Sequence, residues 1–262
     1  MTLTPKTKNR TRAEEALSRV LSSPRTWTPR KEDPFKTLIR TILSQNTSWQ
    51  NEATAYRRLE EMIGITPKEL STAKTSDIAE AIKPAGMYNL RSKTIKHVAA
   101  EVIERYDGDL APIVSKSYPE AREVLMSLPG VGEKTADVVL LFNAGKQVIP
   151  VDRHIARIAT RLELVPKNAP YDTIRDALEE ATPPNTYLDT HIKLIQFGRD
   201  ICRALNPKCG ECILNDICAH PPTSDPKTSR KQQTTPNKAP KPKTDQIDDY
   251  PPIYESFKCR TR

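Results

Sequence analysis

A chain of 262 residues, 37% hydrophobic and 28% charged, can bury one large core or two modest ones. Its formal charge of +8 suits a polyanionic partner, nucleic acid or an acidic membrane surface, although basicity also serves solubility alone. Met1 to Arg12 is polar and basic, and no run approaches the roughly 18 apolar residues of a membrane span. These features exclude a bilayer-spanning protein and predict a soluble, intracellular one, in the cytoplasm or nucleoid, with no membrane partner.

From about Thr11 to His220 the sequence reads as helix nearly throughout. Phe35 to Leu43 places apolar residues at helical spacing. Thr66 before Pro67, Ser76 before Asp77, and Tyr171-Asp172 before Ile174 read as helix starts. Leu90 to Tyr106 repeats apolar residues at intervals of three and four, then stops at Asp107-Gly108. The longest strand-like run is Gln147 to Val151, and Pro150 breaks it. The predicted fold class is all-α.

Leu128-Pro129-Gly130-Val131-Gly132 lies between two apolar helical runs, Ala121 to Leu128 and Lys134 to Phe142. Glycines one residue apart permit a tight turn and close backbone approach. Amides of Gly130, Val131 and Gly132 at a helix start form an anion site, and a DNA phosphate is its natural occupant. The plain alternative is a packing corner that needs glycine for steric reasons. Lys134 opens the following helix, and Asp152 precedes another, Arg153 to Ile158. Read alone, Lys134 is a surface cation and Asp152 an N-cap.

Cys202, Cys209, Cys212 and Cys218 are spaced Cys-x6-Cys-x2-Cys-x5-Cys. Four thiolates at that density can wrap zinc or a cubane of iron and sulfide. Zinc ribbons pair two close knuckles, and this loop has one close pair, which leans toward iron–sulfur. The fifth cysteine, Cys259, reads as a free thiol. It falls in Pro221 to Arg262, a segment with eight of the 23 prolines and few large apolar residues. Its composition predicts a disordered basic tail, with Tyr250 to Phe257 as a candidate docking peptide.

Together, the hairpin with its lysine, the Val151-Asp152-Arg153-His154-Ile155 segment and the cysteine loop resemble the endonuclease III family of DNA glycosylases. The resemblance covers Pro34 to Cys218, about seven-tenths of the chain. It implies a six-helix barrel over 34–146, and a second domain that combines 11–33 with 147–220 and carries a [4Fe–4S] cluster on the four cysteines. It makes Lys134 the attacking amine and Asp152 the catalytic carboxylate, facing each other across a cleft. His154 then joins the DNA-binding surface. The partner is double-stranded DNA carrying damaged bases or abasic sites, and the expected state is a monomer.

The family wedges side chains into the gap left by a flipped nucleotide. Its Leu-Ser-Ala-Gln-Ala-Thr pattern meets Leu43-Ser44-Gln45-Asn46-Thr47 here, so Asn46 takes the glutamine position with Gln45 beside it. Either residue is a candidate wedge, or both are a polar helix end that meets water. The leading functional reading is a bifunctional glycosylase and abasic-site lyase for oxidised pyrimidines. The alternatives are a mismatch glycosylase that removes thymine or adenine, a non-catalytic binder of DNA structure, and an electron carrier, which leaves the hairpin unexplained.

Overall fold

A computed structural model describes residues 5–24 and 32–220 of the chain. The described residues are helical, with no strand. In order the helices are α1 Pro5–Ser22, α2 Pro34–Leu43, α3 Trp49–Met62, α4 Pro67–Thr72, α5 Thr75–Ala81, α6 Tyr88–Tyr106, α7 Ala111–Ser115, α8 Tyr118–Met126, α9 Glu133–Ala144, α10 Arg153–Arg161, α11 Tyr171–Ala181 and α12 Tyr187–Asp200. The tail expected over 221–262, with Cys259, lies outside the described residues.

Local chemistry accounts for most boundaries. Asp33 caps α2 by accepting from the Phe35 and Lys36 amides, with Pro34 at the first helical position. Thr66 and Glu69 form a reciprocal capping box on α4. Asp107, at φ 52°, and Gly108, at φ 79°, end α6 in left-handed geometry. Two expected starts move. Ser76 caps nothing: α5 begins at Thr75 after Lys74, and the Ser76 hydroxyl donates to Asp77 instead. Tyr171 and Asp172 lie inside α11, which follows an extended Pro170.

Segments α2 to α9 enclose one core, built from residues such as Phe35, Leu38, Leu59, Ile95, Val102, Leu125 and Val139. Two of them, α4 and α7, are single turns of 6 and 5 residues, which leaves six longer helices around that core. A second core joins Ala13, Leu17 and Val20 of α1 to Ile155, Ile158, Leu178, Leu194 and Leu214. Polar ties cross between them. Asp137 on α9 is fully buried and accepts from Tyr118 Oη at 2.9 Å, Arg122 Nε at 3.0 Å and Tyr171 Oη at 2.7 Å.

The run Gln147 to Val151 forms no strand: Gln147 is a bend, and the residues after it have no regular structure. Side chains satisfy its backbone instead. The Ile149 amide donates to Glu179 Oε1, the Val151 amide donates to Tyr171 Oη, and the Pro150 carbonyl accepts from His191 Nδ1. This pinned segment carries the chain into Asp152.

Candidate active site

A cleft of about 360 Å³ is lined by Ser44 to Trp49, Glu52, Lys134, Val151 to His154 and Arg199. Lys134 comes from the first turn of α9 and Asp152 from the cap of α10, so the fold brings the two chemically suggestive residues into one space. The Lys134 ammonium is disfavoured by burial, and its pKa is lowered. The Asp152 carboxylate opposes that shift, while Arg199 adds to it. Asp152 Oδ1 accepts both the His154 amide at 2.8 Å and the Ile155 amide at 2.9 Å. The cap expected locally is therefore present, and it uses one oxygen, which leaves Oδ2 for the cleft.

His154 lines the same cleft. Burial lowers its pKa, so the ring is neutral at pH 7. Its Nδ1 faces Arg157 Nη2 at 3.1 Å. Two buried groups had no signal in the sequence. His191 is fully buried, and burial pushes its pKa down to about 4. Its Nδ1 therefore carries a proton to the Pro150 carbonyl and fixes the segment before Asp152. Glu52 is likewise buried and lines the cleft.

On the hairpin, Gly130 sits at φ 71°, and a Cβ there would lie 2.6 Å from Thr94 Cγ2. That position needs glycine. Gly132 does not need it for the fold: its φ of −98° is open to any residue, and a Cβ there would meet nothing within 4 Å. Gly132 occupies the N-cap of α9 with no side-chain cap, so its bare backbone is presented outward. Val131 has its side chain buried in the first core, and only its backbone can serve a ligand.

Gln45 and Asn46 part company. The Gln45 amide reaches the Gly130 carbonyl at 3.4 Å. Its own carbonyl accepts from Arg91, a buried guanidinium that also donates to the Ala85 and Gly86 carbonyls. Asn46 is exposed, at φ 52°, and faces the cleft untied. Met87, also left-handed, stands 57% exposed next to Gly86. An exposed apolar side chain on a strained backbone beside the cleft is a surface feature that residue patterning missed.

The four cysteines share one loop against α10. Burial pushes the Cys212 and Cys218 thiols up, and the neighbouring sulfurs add to the rise. Four sulfur donors in one loop are a donor set suited to a bound metal group. Arg161 Nη1 donates to Cys202 Sγ at 3.3 Å and the Leu214 amide to Cys212 Sγ at 3.4 Å, the hydrogen bonds expected of metal-bound thiolates. Among the described residues no three Cys, His, Asp or Glu side chains gather closely enough for a single ion. Bound there, the [4Fe–4S] cluster would tie Cys202, Cys209, Cys212 and Cys218 together and supply structural cross-linking.

Comparison with known proteins agrees with this geometry. Residues 39–184 match the HhH-GPD superfamily of base excision DNA repair proteins, and 202–218 match the iron–sulfur binding domain of endonuclease III. Endonuclease III of Thermotoga maritima is 36% identical over 189 residues, 72% of this chain and 84% of that one. The Sulfolobus acidocaldarius enzyme is 34% identical over 71% of this chain and 82% of its own. A trapped endonuclease III–DNA covalent intermediate superposes with a TM-score of 0.70 at 28% identity, covering 83% of this chain and 97% of that one. The chain belongs to the HhH-GPD superfamily of base excision DNA repair proteins, as a DNA glycosylase of the endonuclease III family with a [4Fe–4S] cluster.

Proposed function

We propose that the chain is a bifunctional enzyme that excises oxidised pyrimidines from duplex DNA and then cleaves the abasic strand through Lys134. The observation that carries this reading is the juxtaposition of a buried, proton-poor lysine and a carboxylate with one free oxygen in a single cleft. The covalent intermediate trapped in the endonuclease III structure supports it by likeness.

As the C1′–N bond breaks, its electron pair leaves with the base and positive charge grows on the sugar. The Asp152 carboxylate stabilises that charge. The neutral Lys134 amine adds to C1′, and loss of a proton from nitrogen and opening of the sugar ring give an iminium. Removal of a C2′ proton sends electrons into the iminium and expels the 3′ phosphate. A lysine of lowered pKa is suited to the addition step, because only the free amine has a lone pair.

DNA approaches across Gly130, Val131 and Gly132, whose backbone faces one phosphate. Asn46 rather than Gln45 is the wedge in this reading, because Gln45 is already tied to the hairpin, and neutral His154 binds at the cleft rim. The 34–146 unit then acts as the barrel domain and 11–33 with 147–220 as the cluster domain, in a monomer that engages one lesion. The decisive test is borohydride treatment with a panel of single-lesion duplexes. Wild type is trapped covalently on the cognate lesion, and Lys134→Gln binds abasic DNA without trapping or nicking. Trapping by Lys134→Gln would assign the nucleophile to another amine.

A further inference from the structure

The cleft holds a buried acid for which neither the lysine nor the Asp152 chemistry has a use. Glu52, in the first turn of α3, is 2% exposed yet lines the cleft with Lys134 and Asp152. Ser48 caps α3 through the Asn51 amide, and this start directs Glu52 inward. Its Oε1 lies 2.9 Å from Arg40 Nε, and Arg40 on α2 is equally buried.

Arg40 does not depend on this carboxylate alone. Glu32 Oε1 stands 3.7 Å from Arg40 Nη1, and the guanidinium lies over the Tyr56 ring at 4.4 Å. One buried cation is thus shared by two acids. A carboxylate held at the floor of an open cleft with incomplete compensation costs stability, which a fold tolerates where a ligand uses the group. Burial pushes the Glu52 pKa up to about 7, with Arg40 pulling down, Glu32 pushing up and Arg199 pulling down.

We propose that Glu52 reads the extruded base by accepting a ring N–H, so the cleft favours oxidised pyrimidines derived from thymine or uracil over those derived from cytosine. Thymine and uracil derivatives carry a hydrogen on N3, whereas cytosine derivatives present a lone pair there. A lone pair facing a buried carboxylate leaves both acceptors unsatisfied, and sites built around one hydrogen bond discriminate strongly on that ground. The inference rests on the base-excision reading above. It adds to that reading the edge by which the base is chosen.

The experiment compares single-turnover excision of 5-hydroxyuracil, 5-hydroxycytosine and N3-methyl-5-hydroxyuracil in matched duplexes. Strands are opened with hot alkali, so excision is scored without lyase chemistry. Nicking of a preformed abasic site, with no base present, is measured in parallel without alkali. Wild type should excise 5-hydroxyuracil about tenfold or more faster than either of the others, the scale of one unsatisfied buried group. In Glu52→Gln the amide oxygen stays with Arg40, which can only donate, and the NH2 turns to the base. The preference should invert toward 5-hydroxycytosine while abasic nicking stays within about threefold.

A pH series adds a readout that a structural prop would not move. The groups around Glu52 are Arg40, Glu32, Tyr56 and Arg199, with Lys134 and Asp152 across the cleft. Lys134 acts in both measured steps, so the ratio of 5-hydroxyuracil excision to abasic nicking isolates Glu52. That ratio should fall as pH drops through about 7 in wild type, and stay flat there in Glu52→Gln. Equal wild-type rates on 5-hydroxyuracil and its N3-methyl form would overturn the proposal without any variant. So would parallel loss of excision and abasic nicking in Glu52→Gln, or wild type excising neither 5-hydroxy base. Alkali-revealed excision with no spontaneous nicking would sink the lyase reading and leave the Glu52 comparison standing.

Discussion

Replacement of Asp152 by asparagine separates the capping role seen in the structure from the catalytic role proposed for the same side chain. Asp152 Oδ1 caps α10 through two amides. The amide oxygen of asparagine accepts both, and the two residues are near equals at an N-cap. The expected stability cost is therefore below about 1 kcal/mol, or a Tm shift below roughly 4 °C for a chain of this size. The loss of charge opposite a developing cation should slow base excision by about 10²–10³, roughly 2.7–4 kcal/mol of barrier. The Asp152 charge also holds the Lys134 pKa up against burial and Arg199. Without that charge the amine loses its proton at lower pH. Since the free amine is the reactive form, the acid limb of the abasic-nicking profile should move to lower pH even as the maximum falls. The assay is single-turnover cleavage across the folded pH range, with thermal melts on the same samples. Near-wild-type excision, or an acid limb displaced upward, would refute the arrangement.

Four further outcomes follow from the geometry. Gly132→Ala meets open space at an ordinary φ, so it should leave the melting temperature unchanged while weakening binding to damaged and undamaged duplex alike; wild-type affinity would remove the phosphate from that hairpin. Gly130→Ala, forced to hold φ 71° against Thr94, should instead cost about 1–2 kcal/mol of stability. Arg161→Leu removes the donor to Cys202 Sγ and to the Arg203 and Ala204 carbonyls, so iron and sulfide near about four each per chain should fall and the visible absorbance with them. Tyr171→Phe strips a donor from buried Asp137 and the acceptor from the Val151 amide, at about 1–3 kcal/mol, and should lower the excision rate more than DNA affinity, because Val151 leads directly into Asp152.

Motifs that carry their own chemistry were legible in the residues. The glycine turn at Gly130 and the Asp152 cap each name a local geometry that the structure contains, whereas Lys134, a surface cation when read alone, lies buried in the cleft. Less visible were groups whose meaning depends on what packs against them. His191 and Tyr171 look like ordinary helix residues until their partners, the Pro150 carbonyl and Asp137, arrive from 41 and 34 positions away. Nothing in the local sequence marks Glu52 or Arg40, and only the packing of α2 against α3 buries them together. Ser76 misled because a serine near a helix start is a cap only when its hydroxyl faces the free amides, and here it faces Asp77. Gly132 shows the opposite failure: the glycine is real, but the turn itself does not require it, since its φ is ordinary and a Cβ there would meet open space.

The common thread of the site is the helix N-terminus. Lys134 stands in the first turn of α9, Asp152 caps α10 and Glu52 lies in the first turn of α3, so three positive helix ends open toward one cleft. That field favours carboxylates and phosphates and opposes an ammonium, the same direction in which burial acts on Lys134. In the proposed reading, one arrangement of backbone thus serves a polyanion, the Asp152 carboxylate and the Lys134 amine together. The tie that holds this arrangement is polar rather than greasy, because Asp137, Tyr118, Tyr171 and Arg122 join helices from both cores through hydrogen bonds of fixed length. A purely apolar seam could slide and change the Lys134 to Asp152 spacing, whereas a three-donor carboxylate has one position that satisfies every partner.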